Sequence, residues 1–425
     1  MKKAPVYSLL ISACLLTAVA AKWSRLPSVD KVPVNMSSVL AGTTVSSSNG
    51  VSPSGALVLN DPMKAIKLAS GRSDAVIKFV KQSVVKSASF VSDGLEGKVE
   101  VAMSADGKAW NSLATSVFSP ADRVVQLDTG AAQGRYLRLQ FELVRGGSIR
   151  SFKAIGSDTD ANYTVKQSPD NSGSKVNLGG GAGGARLIYV SPELFGSRND
   201  AVLTGDLSFP ESDDKYRTAI YDLGQIRSLD EFGSVHANRP VRLTVYAFEV
   251  LPEKEDWRGR LAFDPAVFDT IEPVAVGEDR DGKGFVNVKP KKQVKSRYLA
   301  LRWEPDFNPP GFSVSGISIS GSGVVSYQSG DTVVETTTNS GGDSVSNIKS
   351  PDGNISITVD GAGNVSTGAG APSAGGGQGG GGGGQEGGGS ADAPIIGPAV
   401  MGAPSAQGAG TNGVSKNPRS KGKGK

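Results

Sequence analysis

Apolar and polar residues alternate in short runs through most of the chain from about residue 51 to 323, and a period of two marks a half-buried strand. Val99, Val101 and Met103 alternate with Glu100 and Ala102. The turn Ala105-Asp106-Gly107-Lys108 then leads to Trp110, which reads as a hairpin. In Tyr136-Leu137-Arg138-Leu139-Gln140-Phe141, residues Leu137, Leu139 and Phe141 share one face. No stretch has the helical period of a convincing amphipathic helix, so the pattern predicts an all-β protein. Trp110, Leu137, Leu139, Phe141, Leu299, Leu301 and Trp303 are expected in its core.

The pattern occurs twice. Arg135-Tyr136-Leu137-Arg138-Leu139 recurs as Arg297-Tyr298-Leu299-Ala300-Leu301, with Phe141 answered by Trp303. Ile77 to Gln82 is matched to Ile220 to Gln225, and Ser148 to Gly156 is matched to Ser313 to Gly321. Between the first two landmarks the second copy carries about 19 extra residues, which fall between Val250 and Lys295. An insertion of that size is expected on a surface loop, where its cost in chain entropy is small.

These residues resemble a known family. Tyr221-Asp222-Leu223-Gly224-Gln225, Arg297-Tyr298-Leu299 and the closing Ile317-Ser318-Ile319-Ser320-Gly321 are similar to the discoidin, or coagulation-factor type C, domain of the galactose-binding-like superfamily. The first copy is similar through Val99-Glu100-Val101, Ser104 to Trp110 and Gly134 to Leu139, and departs at Lys78-Phe79-Val80-Lys81. The resemblance implies two tandem jelly-roll β-sandwich domains, each a non-catalytic module that binds glycans, cell surfaces or other proteins through loops at one end. It also implies a place for Ca2+ in an acidic loop after the first strand, where Asp206, Asp213 and Asp214 stand in the second copy and Asn60 and Asp61 in the first. No other cofactor is expected. Trp257, beside the charged insertion, is the candidate for stacking on a sugar ring.

The flanks complete the organisation. Residues 1–20 have a charged start, a short apolar run from Val6 to Val19 and the small-x-small signal Ala18-Val19-Ala20, as in a secretory signal peptide. Ile11-Ser12-Ala13-Cys14 offers the alternative of a lipidated cysteine. Residues 21–50 read as an extended lead-in, 51–158 as the first sandwich, 159–186 as a flexible linker and 187–323 as the second sandwich. Residues 324–367 suggest one hairpin too small for a core of its own, and 368–425 a disordered Gly-rich tail with a basic end. No run reaches the length of a membrane-spanning helix, so the mature chain is expected to be secreted, periplasmic or at a cell surface, and not integral to a membrane.

Composition narrows the chemistry. One histidine, His236, and one cysteine, Cys14, leave little for histidine-based catalysis, zinc or disulfides. The lack of cysteine after residue 20 agrees with a bacterial form of the family. The glycine run 179–184 lacks the Gly-Lys-Ser/Thr ending of a phosphate loop. Of the formal charge of +4, Lys2, Lys3 and five cations from Lys416 to Lys425 account for more than the whole, leaving the body slightly acidic. A specific nucleic-acid partner is therefore not expected; weak contact of the tail with anionic surfaces is. Asp213-Asp214 and Asp279 with Asp281 are read as solvated turns and His236 as a strand or loop residue, so the protein is expected not to be an enzyme. Two readings remain: a binding protein for glycans or surface proteins, and a structural component of a cell surface or matrix.

Overall fold

The computed structural model describes residues 23–369 apart from 27–32, 60, 157–161, 167–174, 180–183, 195–205, 256–258, 260, 307–310, 339–342, 352, 361 and 363. The signal segment with Cys14, Trp257 and all but the first two residues of the tail therefore lie outside the described residues. Within them the chain is strands joined by turns and three short 3-10 turns, as the alternation predicts. None of its helices is long and apolar enough to cross a membrane.

The first module is a nine-stranded antiparallel sheet built on two long strands, Gly71–Asp93 and Val124–Arg145. Their pairing breaks register between Lys78 and Ser83, and there both strands pass from one layer to the other. The sheet thus closes over its own apolar face. Ile77, Phe79, Phe90, Val99, Val101, Leu137, Leu139 and Phe141 fill the space between the layers, each at most 1% exposed. The second module repeats the plan with ten strands around Arg217–His236, Val294–Pro305 and Gly311–Ser322. Leu299, Leu301 and Trp303 are fully buried there, and the Trp303 indole N–H donates to Ser234 Oγ at 2.9 Å. Two tandem antiparallel β-sandwiches, the fold the discoidin-like resemblance implies, is the fold observed.

Several sequence expectations are corrected in detail. Trp110 is not a core residue: it is half-buried on the outer face, with the Arg138 guanidinium 4.7 Å above its ring. The match of Ile77 to Ile220 is off by one. Ile77 pairs with Leu137, whereas Leu299 pairs with Tyr221, so Tyr221 is the counterpart of Ile77 and Asp222 that of Lys78. In a strand such a slip exchanges the faces, which is why Ile77 lies in the sandwich core and Ile220 lies outside it.

The lead-in is already part of the sandwiches. Val34–Asn35 pairs with Ile155 and Gly156, Thr44–Asn49 with Asp74 to Lys78, and Ser24–Arg25 crosses to pair with Tyr189 and Val190 of the second module. The segment read as a flexible linker also supplies strands, Asn162–Lys166 and Lys175–Asn177. Asn162–Lys166 joins five strands between Val324 and Ala369 in a six-stranded sheet, where one hairpin was expected. The expected hairpin is its last pair, Gly353–Val359 with Val365–Ala369. This sheet has no separate core: Tyr327, Val334, Ile348, Ile357 and Val359 pack into the core of the first module.

The insertion of the second module is a cover and not a bare loop. Its hairpin Glu253–Glu255 with Leu261–Phe263 and the turn Pro265–Asp269 place Phe263 and Phe268 against Tyr246, Phe248 and Ile220 on the outer face of the sheet. Trp23 of the lead-in closes this small core, 4.6 Å from Phe263 between ring centres.

The modules hold each other directly. Lys153 of the first bonds Asp206 at 2.7 Å and the Ser315 carbonyl at 3.2 Å, Ser151 Oγ donates to the same carbonyl, and Arg150 lies 4.2 Å over the Phe285 ring. Such contacts oppose independent tumbling of two tethered units. Because strand Lys175–Asn177 completes the second sheet, a fragment 175–323 is expected to unfold cooperatively and at a higher temperature than 187–323. Circular dichroism melts of the two fragments check this, and equal midpoints would show that the added strand contributes nothing.

Candidate functional site

Where the two modules and the six-stranded sheet meet, they enclose a cleft of about 420 Å³. The first module contributes the loop after its turn Ser54–Leu57, with Asp61, Met63 and Lys64. The second contributes Glu231 from strand Arg217–His236, Asn287 from strand Phe285–Val288, Lys289, and Ser318 and Ser320 from strand Gly311–Ser322. Thr338 and Ser344, at facing strand ends of the third sheet, close the rim with their hydroxyls 2.8 Å apart.

The strand pattern explains the polar lining. Ser318 and Ser320 alternate with Ile317 and Ile319, which face the sandwich core, so the outer face of the same strand is polar by default. Gly233 opposite leaves room for Met63: a Cβ there would lie 2.8 Å from the Met63 sulfur. That close approach brings the loop carrying Asp61 onto the second module. Asp61 Oδ1 accepts the Met63 N–H at 2.9 Å. Desolvation nonetheless outweighs that bond and the nearby Lys64, and lifts the Asp61 carboxyl above its ordinary range. Across the cleft Glu231 accepts from the Asn287 amide and lies 3.6 Å from Lys289 Nζ, while Lys175 Nζ bonds Asp230 at 2.5 Å. Carboxylates, amides, ammonium groups and hydroxyls thus face one space. They can donate to and accept from a ligand rich in hydroxyls without a large net charge.

Of the described residues singled out from sequence, only Asp61 lines this cleft. Asp206 is held by Lys153 in the contact between modules. Asp213 is exposed, and Asp214 Oδ1 accepts the Tyr216 N–H at 3.0 Å in a local turn. Among the described residues no three acidic, histidine or cysteine side chains converge in one group. Trp257 lies outside the described residues. Asp279, read as a solvated turn residue, is buried and accepts the N–H groups of Lys283 and Gly284 at 3.0 and 2.7 Å. Asp281 is exposed and pairs with Lys283 at 2.7 Å. Lys64, Glu231, Asn287 and Lys289 carried no sequence signal, because nothing local distinguishes them from ordinary surface residues.

Fold and cleft together define an all-β protein of paired sandwich modules with a polar site between them. No protein-family model matches the chain, and no curated protein does. Among solved structures it is similar to the CBM32-1 and CBM32-2 domains of ZmpB from Clostridium perfringens, at 11% identity over 71% of this chain and 99% of that one, with a TM-score of 0.24. It is similar also to a fucolectin from striped bass (Morone saxatilis) serum, at 11% identity over 69% and 99% with a TM-score of 0.25. Allantoicase from Saccharomyces cerevisiae matches at 15% identity over 68% and 93%, with a TM-score of 0.26. Likeness at this level transfers neither ligand nor activity.

Proposed function

We propose that the protein is an exported, non-catalytic carbohydrate-binding protein whose ligand enters the cleft between its modules. The observation that carries this reading is the cleft itself, with hydrogen-bonding groups of both signs drawn from both modules and the six-stranded sheet onto one space. The discoidin-like motifs of the sequence support it, as does the signal-like start of the chain. The competing role, a structural surface component, would leave the cleft without a ligand.

Asp61 distinguishes the two. A carboxyl whose folded value is raised contributes stability below its unfolded value, and that contribution is lost as pH rises through the folded value. At neutral pH the Asp61 charge is therefore a cost to the fold. Asp61→Asn is expected to raise the melting temperature slightly at about pH 7 while weakening glycan binding by about tenfold or more. Titration calorimetry with the strongest hit from a glycan array, beside thermal melts, reads both effects. A variant that binds as tightly as the parent removes Asp61 and the cleft from the ligand site, and an array without any saturable hit supports the structural role.

A further inference from the structure

His236, the only histidine in the chain, lies 1% exposed at the end of strand Arg217–His236, against the first module. Its Nδ1 is 2.9 Å from the Ala237 carbonyl, which places the proton of the neutral ring on Nδ1. Nε2 then carries a lone pair, is buried and has no hydrogen-bond partner. It faces Asp279 Oδ2 at 3.9 Å. Two acceptors thus confront each other across a gap that a proton would close.

Both acceptors are tied to the contact between modules. Asp279 holds the turn to Gly284 through two backbone N–H groups, with Oδ2 itself bonded to the Gly284 N–H. The Gly284 carbonyl accepts from Arg123 Nη2 at 3.0 Å and from the His236 N–H at 2.8 Å, and Arg123 Nε donates to the His236 carbonyl at 3.3 Å. Arg123 belongs to the first module. There it pairs with Asp93 and donates to the Ser92 carbonyl, and Asp93 also bonds Arg150 at 3.0 Å. The charged groups around the imidazole are therefore Asp279 on its own module and Arg123 on the other, with Asp93 and Arg150 behind Arg123. Arg239, in the adjoining loop, donates its backbone N–H to the Ala237 carbonyl at 2.8 Å, and Phe312, Val314 and Phe285 beside the strand end carry no charge.

We propose that His236 is an acid-sensitive latch between the modules: a solvent proton taken up by Nε2 draws the Asp279 carboxylate off the Gly284 amide and loosens the turn that Arg123 clamps. The sign agrees. Burial, ahead of the opposing Ala237 and Asp279 contacts, depresses the affinity of the closed form for this proton, so closure is favoured above the unfolded value of about 6.5 and is lost as pH falls below it. An acidified surroundings would thereby change the geometry of the cleft that both modules line.

The test is hydrogen exchange of the full chain at about pH 7.5 and about pH 5, corrected for intrinsic rates, together with the C2–H resonance of the single histidine. Exchange at residues 279–286 and 119–124 is expected to rise about tenfold or more on acidification, with the midpoint of the histidine titration. His236→Gln is expected to keep slow exchange at both pH values. An unchanged acid response in His236→Gln overturns the proposal. Should the glutamine variant fail to fold, a histidine resonance that titrates without a change in exchange, or exchange that rises without its titration, overturns it equally.

Discussion

Trp303→Ala is expected to lower the unfolding free energy of the second module by about 3–5 kcal/mol. The ring is fully buried, packs 6.1 Å from Phe209 between centres and fills the space between two layers. Its removal leaves a cavity that β-strands, pinned on both sides by ladder bonds, cannot collapse into. It also leaves Ser234 Oγ, itself fully buried, without its indole donor, which adds a desolvation cost. Trp110→Ala is the internal contrast. That ring lies half-buried on an outer face and shares its contact with Arg138, so a loss of about 1 kcal/mol or less is expected. Denaturant unfolding of the two variants reads both, and equal losses would refute the assignment of faces.

The second large effect comes from a missing side chain. Gly97 has φ +152°, and a Cβ there would fall on the Glu142 carbonyl oxygen and 2.8 Å from Leu143 Cα. Backbone on both sides of the clash belongs to paired strands, so nothing flexible can give way. The register also shifts at this point, between Glu96 and Gly97, which is where a bulge brings two chains too close for any side chain. Gly97→Ala is expected to cost about 3 kcal/mol, measured as a fall in denaturant midpoint without a change in slope. Gly94→Ala has an unusual φ of +72° but open space around it, so its loss should be the smaller of the two. The reverse order would place the strain in the turn instead of in the bulge.

Of the candidate site, only Asp61 was legible in the sequence, and there as a counterpart for a cation loop. Its partners Glu231, Asn287 and Lys289 stand about 170 positions or more away. Each reads alone as an ordinary polar residue on a strand edge or turn. The surroundings of the grouped aspartates were hidden for a related reason. Asp206, Asp213 and Asp214 are near in sequence, but Lys153, 53 positions before Asp206, meets it across the boundary between modules, and no local pattern reveals such a pairing.

Period-two alternation by itself determined that the chain forms strands and which faces of them are apolar, because a strand with one apolar face must bury it. Internal repetition determined that there are two such units. Leu137, Leu139, Phe141, Leu299, Leu301 and Trp303 were identified as core on those grounds and are buried. Register was beyond its reach: the one-residue slip at Ile77 changes no composition, only the ladder partner. Tertiary structure alone decided that the segments read as lead-in and linker become strands of three sheets. Only there do Trp23 and the insertion cover the outer face at Ile220 and Tyr246, while the outer face of the first module keeps Trp110 beneath Arg138. The physical reason is that pairing and packing across distant positions depend on what lies opposite a residue in space, and that is set only when the whole chain closes on itself.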